Sequence, residues 1–222
     1  MAELDGPRLE PASGKAKQLV VLLHGYGADG NDLIDIGRAW QKLLPDAAFV
    51  SPHAPNLCGQ AMGREWFPLG FRIPGERWAG VQMAAPVLDA FLDAELKRRD
   101  LPPQALALVG FSQGTMMALH VGLRRDLPPA AIVGYSGMLI MPDDAMSEAF
   151  AAEIKSRAPV ILIHGDEDQL IPVQAVSHSA QGLAAMEVPV EWHISPGIGH
   201  GIDQEGLRHG GEFLAKLFAR AP

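Results

Sequence analysis

Cysteine is almost missing from these 222 residues: Cys58 stands alone, so no intramolecular disulfide can close and no multi-thiolate metal site can be built. Positive charge is also short. Eighteen Lys and Arg against 26 Asp and Glu leave a formal charge of −8, which argues against a nucleic-acid partner and an anionic membrane surface, since both reward a basic face. No apolar run reaches the ~18 residues that suggest a membrane span. The opening Met-Ala-Glu-Leu-Asp-Gly lacks the basic-then-apolar layout of a secretion signal, so a cytoplasmic location is expected. Repeats, low-complexity tracts and linkers are missing as well, and residues 1–222 are expected to form one domain.

Short apolar runs alternate with longer helical patterns, the signature of a mostly parallel sheet with helices on both faces. The runs predict strands at Leu19 to Leu23, Ala48 to Ser51, Ala105 to Gly110, Ala131 to Gly134, Val160 to His164 and Val190 to Ile194. Helices are predicted at Asn31 to Leu44 behind an Asn31 cap, Gly80 to Arg99, Thr115 to Leu123, Pro172 to Met186 and Asp203 to Arg220.

One junction carries chemistry. The run Leu106-Ala107-Leu108-Val109 meets Gly110-Phe111-Ser112-Gln113-Gly114 and leads into a helical pattern. This is the layout of a nucleophile elbow, in which a strand reversing into a helix exposes a serine hydroxyl in a strained turn that only glycine neighbours permit. The backbone N–H of Gln113 would then point into the same space from a helix N-terminus. A second turn, Gly134-Tyr135-Ser136-Gly137, follows Ala131-Ile132-Val133 but precedes no helix start, so Ser136 is read as structural or pocket-lining.

In such sheets functional groups collect at the carboxyl ends of the strands. There the chain carries Leu23-His24-Gly25-Tyr26-Gly27, His164-Gly165-Asp166-Glu167-Asp168-Gln169-Leu170-Ile171-Pro172 and Pro196-Gly197-Ile198-Gly199-His200-Gly201. These loops supply an imidazole and a carboxylate, which a serine needs to act as a nucleophile near neutral pH. Spacing alone leaves Asp166, Glu167 and Asp168 as rival acids. His24 and His164 read better as satisfied structural imidazoles. His53, His120, His178, His193 and His209 show no close metal-ligand spacing, so neither a metal nor another cofactor is expected.

Across nearly its whole length the chain resembles the phospholipase/carboxylesterase family of α/β-hydrolases, which includes acyl-protein thioesterases. The resemblance rests on Leu23 to Gly30, the Gly-Phe-Ser-Gln-Gly elbow, His164 to Pro172 and the Gly-x-Gly-His-Gly-Ile stretch ending at Ile202. It implies Ser112 as nucleophile, Asp168 as the acid three residues before Ile171-Pro172, and His200 as general base. It also implies the backbone N–H groups of Tyr26 and Gln113 as oxyanion donors, and family members often pair, so a homodimer is an expectation. The order serine, acid, histidine suits this fold.

Residues 55–80 read as a long irregular flap with Leu57, Met62, Trp66, Phe67, Leu69, Phe71, Ile73 and Trp78. The resemblance puts the Trp66-Phe67 pair over the serine, where with Leu69, Met138 and Leu170 it would shape an acyl groove. A flap packed only for stability is the alternative. The expected activity is hydrolysis of carboxylic esters of short to medium acyl chain through an acyl-enzyme, rising with pH as His200 loses its proton. A long-chain acyl-protein thioesterase or lysophospholipase is one alternative, and a hydrolase-like binder without turnover is another.

Overall fold

A computed structural model describes residues 4–59, 61–69, 75–142 and 148–219. Nine strands and six helices are seen among them: β1 (Arg8–Leu9), β2 (Gln18–Leu23), α1 (Gly30–Trp40), β3 (Ala47–Val50), β4 (Asn56–Leu57), β5 (Arg64–Glu65), α2 (Glu76–Arg99), β6 (Leu106–Phe111), α3 (Gln113–Gly122), β7 (Ala131–Tyr135), α4 (Glu148–Glu153), β8 (Val160–Gly165), α5 (Gln174–Ala185), β9 (Val190–Ser195) and α6 (Gln204–Phe218). Seven strands form one sheet in the order β1-β3-β2-β6-β7-β8-β9, while β4 and β5 form a small hairpin. Only β1 runs antiparallel in the large sheet, pairing Arg8 with Val50 and Leu9 with Phe49.

The inner strands read as nearly unbroken apolar runs because both faces of a parallel sheet are covered, whereas the edge strand β9, Val-Glu-Trp-His-Ile-Ser, is only partly buried. Their side chains nevertheless divide by parity, since successive residues point to opposite faces. Leu19, Val21 and Leu23 join Leu106 and Leu108 in a core closed by Leu88 and Leu92 of α2, Met117 of α3 and Leu183 of α5. Val20 and Leu22 join Ala107, Val109, Ile161 and Ile163 in a second core closed by Trp40 of α1 and by Phe213 and Leu214 of α6. The expected α/β-hydrolase fold, a mostly parallel sheet between helix layers, is what forms.

Three local expectations change. The first is that α2 starts at Glu76 rather than Gly80, so the stretch 55–80 expected as an irregular flap holds the β4–β5 hairpin and the first turn of a helix. The cap of α1 is Asp29, whose side chain accepts the Asn31 N–H at 2.7 Å, and not Asn31 itself. The helix also ends at Trp40 rather than Leu44. Glycine at position 30 matters here, because a Cβ would lie 2.0 Å from the Ser51 carbonyl oxygen. At the sheet edge, β1 is tied to α2 by Arg8, whose guanidinium lies 2.7 Å from the fully buried Glu95 carboxylate.

Candidate active site

Strand β6 ends at Phe111, and Ser112 follows with φ 53° and ψ −115° before α3 begins at Gln113. A left-handed φ is costly for a side-chain-bearing residue and persists only when its surroundings enforce it. The enforcement is visible. The Ser112 N–H donates to the Tyr135 carbonyl at 2.9 Å, and the Thr115 hydroxyl bonds the carbonyls of Gly110 at 2.8 Å and Tyr135 at 2.9 Å. Both framing glycines are required: a Cβ on Gly114 would sit 1.8 Å from the Leu23 oxygen, and one on Gly110 would sit 2.3 Å from the Thr115 nitrogen.

Behind the elbow, the buried Gln113 side chain accepts the Trp66 N–H at 2.9 Å and donates to the Phe67 carbonyl at 2.7 Å. The Trp66 indole N–H reaches the His24 carbonyl at 2.9 Å. His24 Nε2 accepts the Ala54 N–H at 3.0 Å, which leaves Nδ1 to donate to the Gly25 carbonyl at 2.8 Å. Burial holds the His24 imidazole below the ordinary histidine pKa, so it serves as a neutral brace for the loop bearing Tyr26.

The three rival acids separate by environment. Asp166 and Glu167 are exposed, and Asp166 accepts the Gly197 N–H at 2.6 Å. Asp168 is buried, and its Oδ1 accepts the N–H groups of Leu170 and Ile171, each at 2.9 Å. Its Oδ2 lies 2.7 Å from Nδ1 of His200. Burial pushes this carboxyl up, but the two backbone donors and His200 outweigh it and hold Asp168 below the usual carboxylate range. An ionised Asp168 accepts from Nδ1–H and so leaves Nε2 of His200 as the basic nitrogen. His164 bonds the Ile171 carbonyl at 2.7 Å and stands 3.2 Å from Asp168 Oδ2, a core imidazole behind the acid.

Ser112 and His200 line one cleft of about 370 Å³, together with Tyr26, Leu69, Arg77 and Leu170. The His200 ring also packs on Phe111, the residue before the serine, with centroids 5.1 Å apart. Larger cavities of about 690 and 730 Å³ lie elsewhere, around Lys17 and Phe218 and between α5 and β9, and neither includes the serine. The imidazole paired with a buried carboxylate thus opens on the same cleft as the serine hydroxyl.

The expected groove is corrected in part. Leu69 and Leu170 line the cleft, whereas Trp66 and Phe67 are core residues at 1% and 0% exposure and do not. Their backbone is held by Gln113, so the aromatic pair supports the elbow from behind. Met138 packs on the core and touches Arg77 through its sulfur at 3.7 Å without lining the cleft. Phe71 and Ile73 lie outside the described residues. Arg77, which its charged stretch suggests for the solvated outer side of the flap, lines the cleft instead, because a lone arginine in such a stretch carries no sequence signal for a cleft. Among the described residues no helix is long and apolar enough to cross a membrane.

A family model described as phospholipase/carboxylesterase matches residues 4–218. The chain is 26% identical to acyl-protein thioesterase 1 of Gibberella zeae, over 95% of this chain and 94% of that protein. It is 27% identical to esterase YpfH of Escherichia coli, over 87% and 80%. Among solved structures it superposes on esterase PE8 with a TM-score of 0.91 at 46% identity, covering 97% of this chain and 100% of the other. A Bacillus cereus carboxylesterase shares the fold at a TM-score of 0.79 and 18% identity, covering 98% and 96%. The chain is a carboxylic ester hydrolase and belongs to the phospholipase/carboxylesterase family.

Proposed function

We propose that this protein hydrolyses carboxylic esters of short to medium acyl chain through a Ser112-bound acyl-enzyme. The observation that carries the reading is the 2.7 Å contact between His200 and the buried Asp168, in the cleft that His200 shares with a strained Ser112. Ser112 Oγ attacks the ester carbonyl while His200 Nε2 takes its proton, and the backbone N–H groups of Tyr26 and Gln113 receive the oxyanion. Collapse expels the alcohol, or a thiol from a thioester, which leaves with the proton from His200. Water then repeats the cycle: His200 takes its proton, the hydroxide adds to the acyl carbon, and Ser112 leaves reprotonated with the carboxylic acid released. Asp168 stays ionised throughout and stabilises the imidazolium.

The cleft supports the chain-length part of this reading, since a volume of about 370 Å³ lies near the small end of ligand sites. Hydrolysis of p-nitrophenyl esters from acetate to palmitate tests this, with Ser112→Ala as blank. The expected kcat/KM peaks at short to medium chains and vanishes in the blank. A peak at palmitate would instead favour a thioesterase or lysophospholipase acting on long chains. Turnover equal to the blank on every ester would remove the catalytic reading.

A further inference from the structure

Folding brings together two histidines that lie far apart in sequence. His193 sits on β9, at the open edge of the sheet, on the same strand face as Ser195. Glu205 and His209 are one turn apart on α6 and share a helix face. The two imidazoles face each other with centroids 4.2 Å apart and planes tilted by 34°. One ligand atom from each of His193, Glu205 and His209 lies within 4.8 Å of the others.

Two features suit these rings to a metal. His193 Nε2 is buried and has no hydrogen-bond partner among the described residues, a deficit that a metal bond would relieve. His209 Nε2 faces an Arg208 guanidinium nitrogen at 3.2 Å, and because a guanidinium can only donate, that ring nitrogen offers a lone pair.

We propose that His193, Glu205 and His209 bind a late first-row divalent transition-metal ion, Zn2+ foremost, which clamps β9 to α6 across the base of the His200 loop. Two imidazole nitrogens and one carboxylate oxygen suit Zn2+, Ni2+ or Cu2+ rather than Mg2+ or Ca2+. Tetrahedral ligands at zinc distances stand about 3.3 Å apart. Glu205 Oε1 and His209 Nε2 are already 3.6 Å apart, and the exposed Glu205 can turn to close the rest. Arg208 keeps an anionic partner when displaced, since it also pairs with Glu212 at 2.7 Å. Solvent completes the coordination.

The ion would act on the loop from both ends. Residues 196–203 join β9 to α6 and carry His200, and the Ser195 hydroxyl already closes that loop on Asp203 at 2.7 Å. The metal would be a second closure beside it. The site rests on its own three ligands, whatever the role of His200.

Chelator-treated full-length protein is titrated with ZnCl2 by calorimetry, with thermal melts and the visible spectrum of bound Co2+ recorded alongside. One ion per chain is expected at micromolar concentration or below, with a raised Tm. Affinity should fall at least about tenfold in His209→Gln and in Glu205→Gln, and stay unchanged in His200→Ala. Glu205→Gln alters one exposed side chain and keeps the test decisive if a histidine variant fails to fold. No saturable binding, binding unchanged in His193→Gln/His209→Gln, or binding lost in His200→Ala would overturn the proposal.

Discussion

Ser112 and Ser136 occupy equivalent places on neighbouring parallel strands and have opposite fates. Their strands pair through Phe111 and Tyr135, and the two serines have left-handed φ values of 53° and 44°. Each N–H donates to the next strand over, Ser112 to Tyr135 and Ser136 to Ile163, both at 2.9 Å. Ser136 is fully buried, and its hydroxyl is committed to the Gly201 carbonyl at 2.9 Å. Ser112 opens on a cleft and starts a helix. A strained serine at a strand end is therefore not sufficient for a nucleophile. Access and the helix that follows make the difference, and the second serine helps to hold the His200 loop in place.

Breaking the comparison at Ser112 has the largest expected effect. Ser112→Ala should lower kcat by a factor on the order of 10^6 while the melting temperature stays close to that of the parent. Removing the scaffold found only behind Ser112 comes next. Gln113→Leu leaves the Trp66 N–H and the Phe67 carbonyl buried and unpaired, at a cost of about 2–5 kcal/mol in a urea titration.

The helix that only Ser112 has carries a pH dependence. His120 in α3 is 4% exposed, and burial followed by the nearby Arg124 charge lowers its pKa from 6.5 to about 3. Between those values the unfolded chain binds the proton and the native state does not, so stability is full above about pH 6.5 and falls as the solution is acidified. Each pH unit in that window costs about 1.4 kcal/mol. His120→Leu should flatten the slope of unfolding free energy between pH 6.5 and 4; an unchanged slope would remove His120 from the account. The smallest effect is expected at the second turn. Ser136→Ala should cost about 1 kcal/mol of stability and leave most of the activity, and a loss matching that of Ser112→Ala would erase the distinction.

Much of this was legible in the sequence. All six expected strands form within one residue of their expected ends; the inner ones were plain because strands buried on both faces must be apolar throughout, while the partly exposed edge strand β9 shows only a mixed run. The elbow was readable because Gly110 and Gly114 are demanded by backbone atoms that a Cβ would strike. The two-residue strands β1, β4 and β5 are too short to show a period, and Asp29 took the cap from Asn31 because the turn places its carboxylate on the Asn31 N–H. Trp66 and Phe67 were recognisable as large and apolar, but which side of Ser112 they pack against depends on Gln113, a contact across 47 residues. The pairing of His193 with His209 was hidden for the same reason, since only the packing of α6 on the sheet edge brings them together.

The most direct test of Ser112 as the nucleophile is intact-protein mass spectrometry after reaction with a fluorophosphonate, followed by mapping of the labelled peptide. The account predicts one adduct per chain, on Ser112, absent from Ser112→Ala and retained in Ser136→Ala. No adduct on the parent protein, or an adduct on Ser136, would contradict it.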